Sequence, residues 1–321
     1  MSKSHRTTRI LATLAGVTAA AMMFAGCASG GGGTETPSAG PDASATIVVG
    51  SQNEPTNLDQ IFGGSSGVTE VFTGNVYEGL FRITDDATVE PLLATETEVS
   101  DDGLVYTFKL ADAKFHSGAP LTAEAVKYSL ERFISEDSIA ARKRQLSVID
   151  TVDVVDDSTV KVTLKNKSIS FPYNLGYVWI VNPDAGDLTT AADGTGPYKL
   201  GDYRKGDSIT LDVNADYWGD KPSNGGVVYQ YYADPTALNN AVLTGAVDLV
   251  TSQSNPDSLA EFEAAGFEII EGTSTTKELL AFNDRVAPFD NVEVRKALTS
   301  AIDREKLLDA IWDGRGPLIG S

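Results

Sequence analysis

Few side chains in this sequence could do covalent chemistry, and each fails on order or spacing. "GGSSG" at 63–67 sets Ser65 in a G-x-S-x-G pattern. A serine nucleophile there needs an apolar strand before it, a helix after it and a histidine partner. "TNLDQIF" is a poor strand, and beyond residue 27 the only histidine is His116 in "KFHSG", with nothing to place it near Ser65. The pattern reads as a serine-rich surface loop. "STVK" at 158–161 matches S-x-x-K but falls in a predicted strand, where the two side chains point to opposite faces. "DVNADYWGDKPS" begins like a calcium loop, yet Tyr217 stands where the turn needs glycine and Ser223 where the bidentate glutamate belongs. One histidine and no free thiol leave no zinc or transition-metal cluster. The aspartate pairs 85–86, 101–102 and 156–157 are turn residues, and "GGGG" at 30–33 has no strand before it to make a phosphate loop. The expectation is a binding protein with no catalytic residue, no cofactor and no metal. An exported serine hydrolase using Ser65 is the rival reading.

The ends and the composition bound the setting. "MSKSHRTTRILATLAGVTAAAMMFAGC" carries Lys3, Arg6 and Arg9 ahead of a short apolar run that closes on Phe24-Ala25-Gly26-Cys27. This is the layout of a secretory signal, and a cysteine after Ala-Gly resembles a bacterial lipobox, in which the thiol is acylated and anchors the protein. Phe24 departs from the usual leucine. Residues 1–27 therefore read as a lipoprotein signal peptide with Cys27 as the lipidation site. Residues 28–45, rich in Gly, Ser, Ala, Pro and Thr, read as a flexible tether. With Cys27, the single cysteine, spoken for, no disulfide is possible, and 41% apolar residues allow an ordinary core. Removing residues 1–27 takes away 3 of the 25 basic residues and none of the 45 acidic ones, so the net charge moves from −20 to −23. So acidic a surface excludes nucleic acid and anionic lipid as natural partners.

The elements that must position any site follow from periodicity. "ATIVVG" (45–50) is a buried strand. Val68, Val71, Phe72, Val76 and Leu80 predict a helix over 67–81. "LVYTFKL" (104–110) alternates as a half-buried strand, and "LTAEAVKYSLERFI" (121–134) is an amphipathic helix capped by Thr122. "VDVVDDSTVKVTL" and "YKLGDYRKGDSITLDV" are hairpins. From about 226, strands ("GVVYQYY", "VDLV" at 247–250, "FEII" at 267–270, "KELLAFN" at 277–283) alternate with helices opened by Asp234-Pro235 and Asn255-Pro256. That alternation implies an α/β layer with an antiparallel-rich middle inserted in it.

Six stretches in order, "VYEGLFRI", "EPLLATETEVSDDGLVYTFKLADAKFHSGAPLTAEAVKYSLER", "GTGPYKL", "LDVNADYWGDKP", "GAVDLV" and "FNDRVAPFDNVEVRKALTSAIDREKLL", resemble the extracellular solute-binding proteins of family 5, the peptide- and nickel-binding receptors of ABC importers. The resemblance implies an α/β, two-lobed, periplasmic-binding-protein-like (type II) fold with an inserted antiparallel α+β subdomain. On this sequence lobe I would be 46–66 and 191–276, the insert 67–190, and the start of lobe II 277–321, truncated there. Leu307, Ile311 and Trp312 in that last part are expected to be more exposed than their types warrant. The implied function is capture of a short peptide between the lobes and delivery to a membrane permease whose partner ATPase drives import. The protein would be a monomer held by lipid on the outer, extracytoplasmic face of the cell membrane. Chelated nickel, haem or an oligosaccharide are alternative solutes. Ligands of open α/β layers sit beyond the carboxyl ends of strands. That rule picks Ser51, Gln52 and Glu54 after the first strand, Thr251, Ser252 and Gln253 after "VDLV", and Asn283 after "KELLAF", with Tyr177 and Trp179 as stacking walls. Glu54 is the expected partner of a cationic or amino group.

Overall fold

The computed structural model describes residues 43–63, 66–253, 257–272 and 279–319. Cys27, the tether to residue 42 and Ser65 lie outside these. The parallel core begins with β1 (Thr46–Ser51), whose inward residues become steadily more buried toward its carboxyl end. β10 (Gly226–Tyr231) and β11 (Leu249–Val250) flank β1, both parallel to it. The hairpin β8 (Tyr198–Arg204) and β9 (Ser208–Val213) adds antiparallel strands beyond β10, giving the order β11-β1-β10-β9-β8. α5 (Pro235–Leu243) starts as its sequence requires: Asp234 accepts from the Ala237 N–H at 2.9 Å, and Pro235 fills the first helical position, where no N–H is needed. α6 (Asp257–Ala264) follows β11.

A second sheet, β4 (Ala94–Val99), β5 (Val105–Leu110), β7 (Thr159–Leu164) and β6 (Ile149–Asp156), is antiparallel throughout, in the order β4-β5-β7-β6. α2 (Ala123–Ile134) covers it, with the Thr122 hydroxyl accepting from Ala125 N–H as a cap. Phe108, Val160, Val162, Leu130 and Phe171 fill the space between. The small hairpin β2 (Phe81–Ile83) and β3 (Val89–Pro91), α3 (Lys143–Leu146) and α4 (Phe171–Leu175) complete this part. Burial of such side chains contributes roughly 1.5–3 kcal/mol each.

The long helix predicted over 67–81 is shorter. α1 (Ser66–Phe72) ends where Gly74 takes a positive φ of 75°, and Val76, Tyr77 and Leu80 reach the interior from irregular backbone. Side chains from Val68 to Tyr77 pack on the five-stranded sheet, and from Leu80 the chain enters the second core, which Ile61 also joins. "FEII" and the described part of "KELLAFN" are not strands. Among the described residues neither has a partner strand, and a lone extended segment has no ladder to satisfy its backbone. α7 (Val292–Ala301) and α8 (Arg304–Trp312) are capped by Asn291 and Asp303 but contain no buried residue. Leu307 and Ile311 are 49% and 51% exposed, and Trp312 is half-buried.

One buried carboxylate joins the two sheets' surroundings. Glu78 accepts from Thr195 Oγ1 at 2.8 Å, Tyr217 OH at 2.7 Å and Trp218 Nε1 at 2.9 Å. Burial pushes its pKa above the usual carboxylate value, and the three donors oppose that rise. The contact requires "GTG" to lie on the backbone of Asn75 and Val76: a Cβ on Gly194 would meet the Val76 carbonyl at 2.0 Å, and one on Gly196 the Asn75 carbonyl at 2.3 Å. Close by, His116 bonds through Nε2 to the Gly196 carbonyl at 3.0 Å, leaving Nδ1 buried without a partner. The His116 carbonyl in turn accepts from Lys199 Nζ of β8 at 3.2 Å, and no serine hydroxyl faces the ring in any hydrogen bond among the described residues.

Two outcomes test this junction. Glu78→Ala strands three donors and is expected to lower unfolding stability by about 2–4 kcal/mol in urea titration, with Glu78→Gln losing less. Burial holds the His116 imidazole below its ordinary value of 6.5. The unfolded chain therefore takes up the proton first, so this group's stabilisation is complete above about 6.5 and is lost as pH falls through the lower, folded value. Urea midpoints measured from pH 8 down to about pH 5 should show that loss, and His116→Gln should remove this component of the slope.

Candidate functional site

β1 ends between two parallel neighbours, and the chain leaves their carboxyl ends into loops. This is where an open α/β sheet offers a crevice. The β1 loop turns sharply: buried Ser51 accepts from Asn53 N–H at 3.0 Å, and the Ser51 carbonyl accepts from Tyr232 N–H at 2.9 Å. α1 then lies directly on this loop, because Gly67 has no Cβ to strike the Asn53 carbonyl, 2.0 Å from where one would sit. One turn further on, that approach carries Glu70 to the strand ends. Thr251 Oγ1, after β11, donates to Glu70 Oε1, and Asn53 Nδ2 donates to Oε2 at 3.5 Å. Tyr229 OH donates to the Glu70 backbone carbonyl at 3.2 Å. Residues 53, 70 and 251 thus meet at one carboxylate.

Glu54 is at the same edge but faces the β8–β9 turn. Its Oε1 accepts from Tyr203 OH at 2.9 Å and from Gly206 N–H at 2.7 Å. Burial together with this carboxylate pushes the Tyr203 phenol up to about 12. The Asp207 side chain in the same turn accepts from Gln230 Nε2 at 3.2 Å and is held below the usual carboxylate range by that bond and by Ser208. Tyr231, the last residue of β10, buries its hydroxyl without a partner, and its phenol is pushed up by burial and by the charges of Glu70 and Glu54.

A cavity of about 600 Å³ opens beside β11, lined among others by Thr251, Ser252, Gln253, Phe262, Ile269 and Trp312. Its volume suits a small solute. Arg315, also in the lining, makes ion pairs to Glu271 and Glu263, the latter at 3.5 Å.

The sequence-predicted residues separate as follows. Ser51, Gln52, Thr251 and Ser252 gather at the edge, with Ser51 spent on its own turn. Asn283 is exposed and caps the Arg285 N–H at 3.1 Å, and no hydrogen bond joins it to the edge. Trp179 is not a cleft wall: it is 5% exposed, stacked on Tyr77 at 4.8 Å, with Nε1 donating to Thr73 Oγ1 at 3.0 Å. Its large apolar ring is worth more inside the core. Tyr177 is half-buried under the Arg142 guanidinium, 3.7 Å from the ring centroid, and bonds to Tyr173 OH at 2.9 Å. Asn53, Glu70 and Tyr231 were not foreseen. Glu70 carried one signal, a charged residue inside the apolar pattern of α1, but nothing in the sequence ties it to Thr251. Among the described residues no group of His, Cys, Asp and Glu could hold a metal ion, and no helix is long and apolar enough to cross a membrane.

The sheet order, the inserted antiparallel part and the crevice at the parallel strands' carboxyl ends define a type II periplasmic-binding-protein-like protein. Residues 88–320 match the model of the bacterial extracellular solute-binding proteins, family 5 Middle, and the chain belongs to that family. It is 30% identical over 298 residues to the glutathione-binding protein GsiB of Pectobacterium atrosepticum, covering 86% of this chain and 56% of that one. It superposes with a TM-score of 0.71 and 30% identity on the binding protein AgaA of A. tumefaciens R10 in complex with agropinic acid, over 85% of this chain and 57% of that one. With the oligopeptide-binding protein AppA of Bacillus subtilis, in complex with a nonapeptide, the TM-score is 0.72 at 24% identity, over 87% and 58% of the two chains. That last likeness is one of fold. The chain spans about half the length of the curated relatives it matches, 44% to 56%.

Because Glu54 is tied to the β8–β9 turn, Glu54→Gln is expected to bring the Tyr203 phenol down from about 12 toward 10 in an ultraviolet pH titration. The same change should lower stability by about 1 kcal/mol.

Proposed function

We propose that this chain is the solute-capturing part of an extracytoplasmic receptor of an ABC importer, and that its solute is a short peptide. The observation that carries the reading is the polar crevice at the carboxyl ends of β1 and β11, with its adjoining cavity, in a chain of family 5. The relative named for binding glutathione, a tripeptide, supports the peptide assignment. The 30% likeness to a protein holding agropinic acid favours, as the second reading, a non-peptide solute of similar size. In the receptor, lobe I (46–66 and 191–276, with 67–190 inserted) and a second lobe beginning near 277 close on the solute. Gln52, Ser252 and the rim of the cavity then supply hydrogen bonds, without a catalytic step. The loaded receptor docks on a permease whose ATPase drives import. Residues 1–27 direct export, Cys27 carries the lipid that anchors a monomeric receptor to the outer face of the membrane, and 28–45 is its tether.

Calorimetric titration of the protein with tri- to pentapeptides is expected to show saturable binding that Ser65→Ala leaves unchanged. Failure to bind peptides, chelated nickel, haem and oligosaccharides alike would sink the receptor assignment. Labelled palmitate should enter the expressed precursor and be lost in Cys27→Ala.

A further inference from the structure

Glu70 is a carboxylate at the crevice that ties two strand ends together and reaches the cavity's lining through Thr251. Its two oxygens are held from different parts of the chain, by Asn53 Nδ2 and by Thr251 Oγ1, both neutral donors. None of the ion pairs among the described residues involves it. The other buried or half-buried carboxylates of this part are employed otherwise. Asp59, 3% exposed, is paired with Arg132 and tethers the loop after β1 to α2. Glu54 fixes the β8–β9 turn, and Glu78 takes three donors in the interior. Glu70 is oriented by the packing of α1 on the Asn53 loop, half-buried, and without a cationic partner among the described residues. Next to it the Tyr231 hydroxyl is buried with no acceptor or donor of its own, although Glu70's charge reaches it strongly enough to disfavour its ionisation. Thr251, the residue that grips Glu70, also lines the 600 Å³ cavity. A half-buried carboxylate held only by neutral donors is stabilised by an arriving cation, and the acidity of the whole chain steers cations toward it.

We propose that Glu70 is a specificity-determining residue, oriented by Asn53 and Thr251 to receive an ammonium or guanidinium group of the solute at the rim of the cavity. This rests on the receptor reading and narrows it: the solute is a peptide, or peptide-like molecule, that presents a positive charge at the ends of β1 and β11. The role expected of Glu54 from the sequence passes to Glu70, because Glu54 is bonded to the β8–β9 turn, whereas Glu70's partner Thr251 lines the cavity.

The test uses matched probes on the full-length protein: tetra-alanine against its N-acetyl form, and Ala-Lys-Ala-Ala against Ala-norleucine-Ala-Ala. In at least one pair the cationic member is expected to bind about tenfold more tightly, and Glu70→Gln should shrink that preference to about twofold or less. Glu70→Asp keeps the charge on a shorter stem and should retain part of the preference, which a merely structural role would not produce. It also reads the effect should Glu70→Gln fold poorly. Equal binding within every pair by the wild type, or an undiminished preference in Glu70→Gln, overturns the assignment of Glu70 while the receptor reading stands. Binding by no member of any pair overturns peptide capture and this inference with it.

Discussion

A carboxylate buried to 3% exposure is costly to keep unless its oxygens are satisfied, and Glu78 is satisfied only by residues more than a hundred positions away. Thr195 comes from "GTG", and Tyr217 and Trp218 from "DYWG". Both segments must therefore lie against "VYEGL" before either core can close. Gly194 and Gly196 make that possible, since any side chain there would collide with the backbone of Asn75 or Val76. From this junction β8 sets out into the five-stranded sheet in one direction, and Leu80 and β2 enter the second core in the other. Three motifs that look unrelated in the sequence are one contact.

The site follows from the same kind of constraint. Gly67 brings α1 onto the Asn53 loop, which aims Glu70 at the strand ends. The β8–β9 turn, fixed by Glu54 and by Gln230, bounds the crevice on the other side. A carboxylate already accepting a phenol and a backbone N–H is a building element. Glu70 is held by a threonine and an asparagine amide, and no ion pair among the described residues involves it. The two glutamates at this edge differ in their neighbours and not in their chemistry.

The C-terminal helices show what capping and amphipathicity achieve alone. α7 and α8 have well-formed caps at Asn291 and Asp303, so their hydrogen bonds are made. Their apolar residues nonetheless stay largely in contact with solvent: Leu307, Ile311 and Leu298 are all exposed. Most helical stability in proteins comes from packing an apolar face. Among the described residues these faces have little to pack on, and the extended segments at 267–270 and 279–283 have no sheet to join. Near the cavity beside β11, Trp312 joins the lining and Arg315 adds ion pairs to Glu263 and Glu271.

Sequence by itself determined the elements whose signals are local. The hairpins at Asp156 and Gly206, the caps at Thr122 and Asp234 and the buried first strand were all legible, because each depends on residues within a few positions of one another. The order of family motifs was legible too, and with it the class of protein. What only the tertiary structure decided are the contacts between distant segments: that Trp179 is core, that His116 and Glu78 lie at one junction, that Gly74 cuts the first helix short, and that Glu54 is bonded to the β8–β9 turn while Glu70 is bonded to Thr251. A side chain's type states what it can do. Whether its oxygens are already occupied depends on groups such as Tyr203, 149 residues from Glu54, or Thr251, 181 residues from Glu70, which only the folded chain brings together.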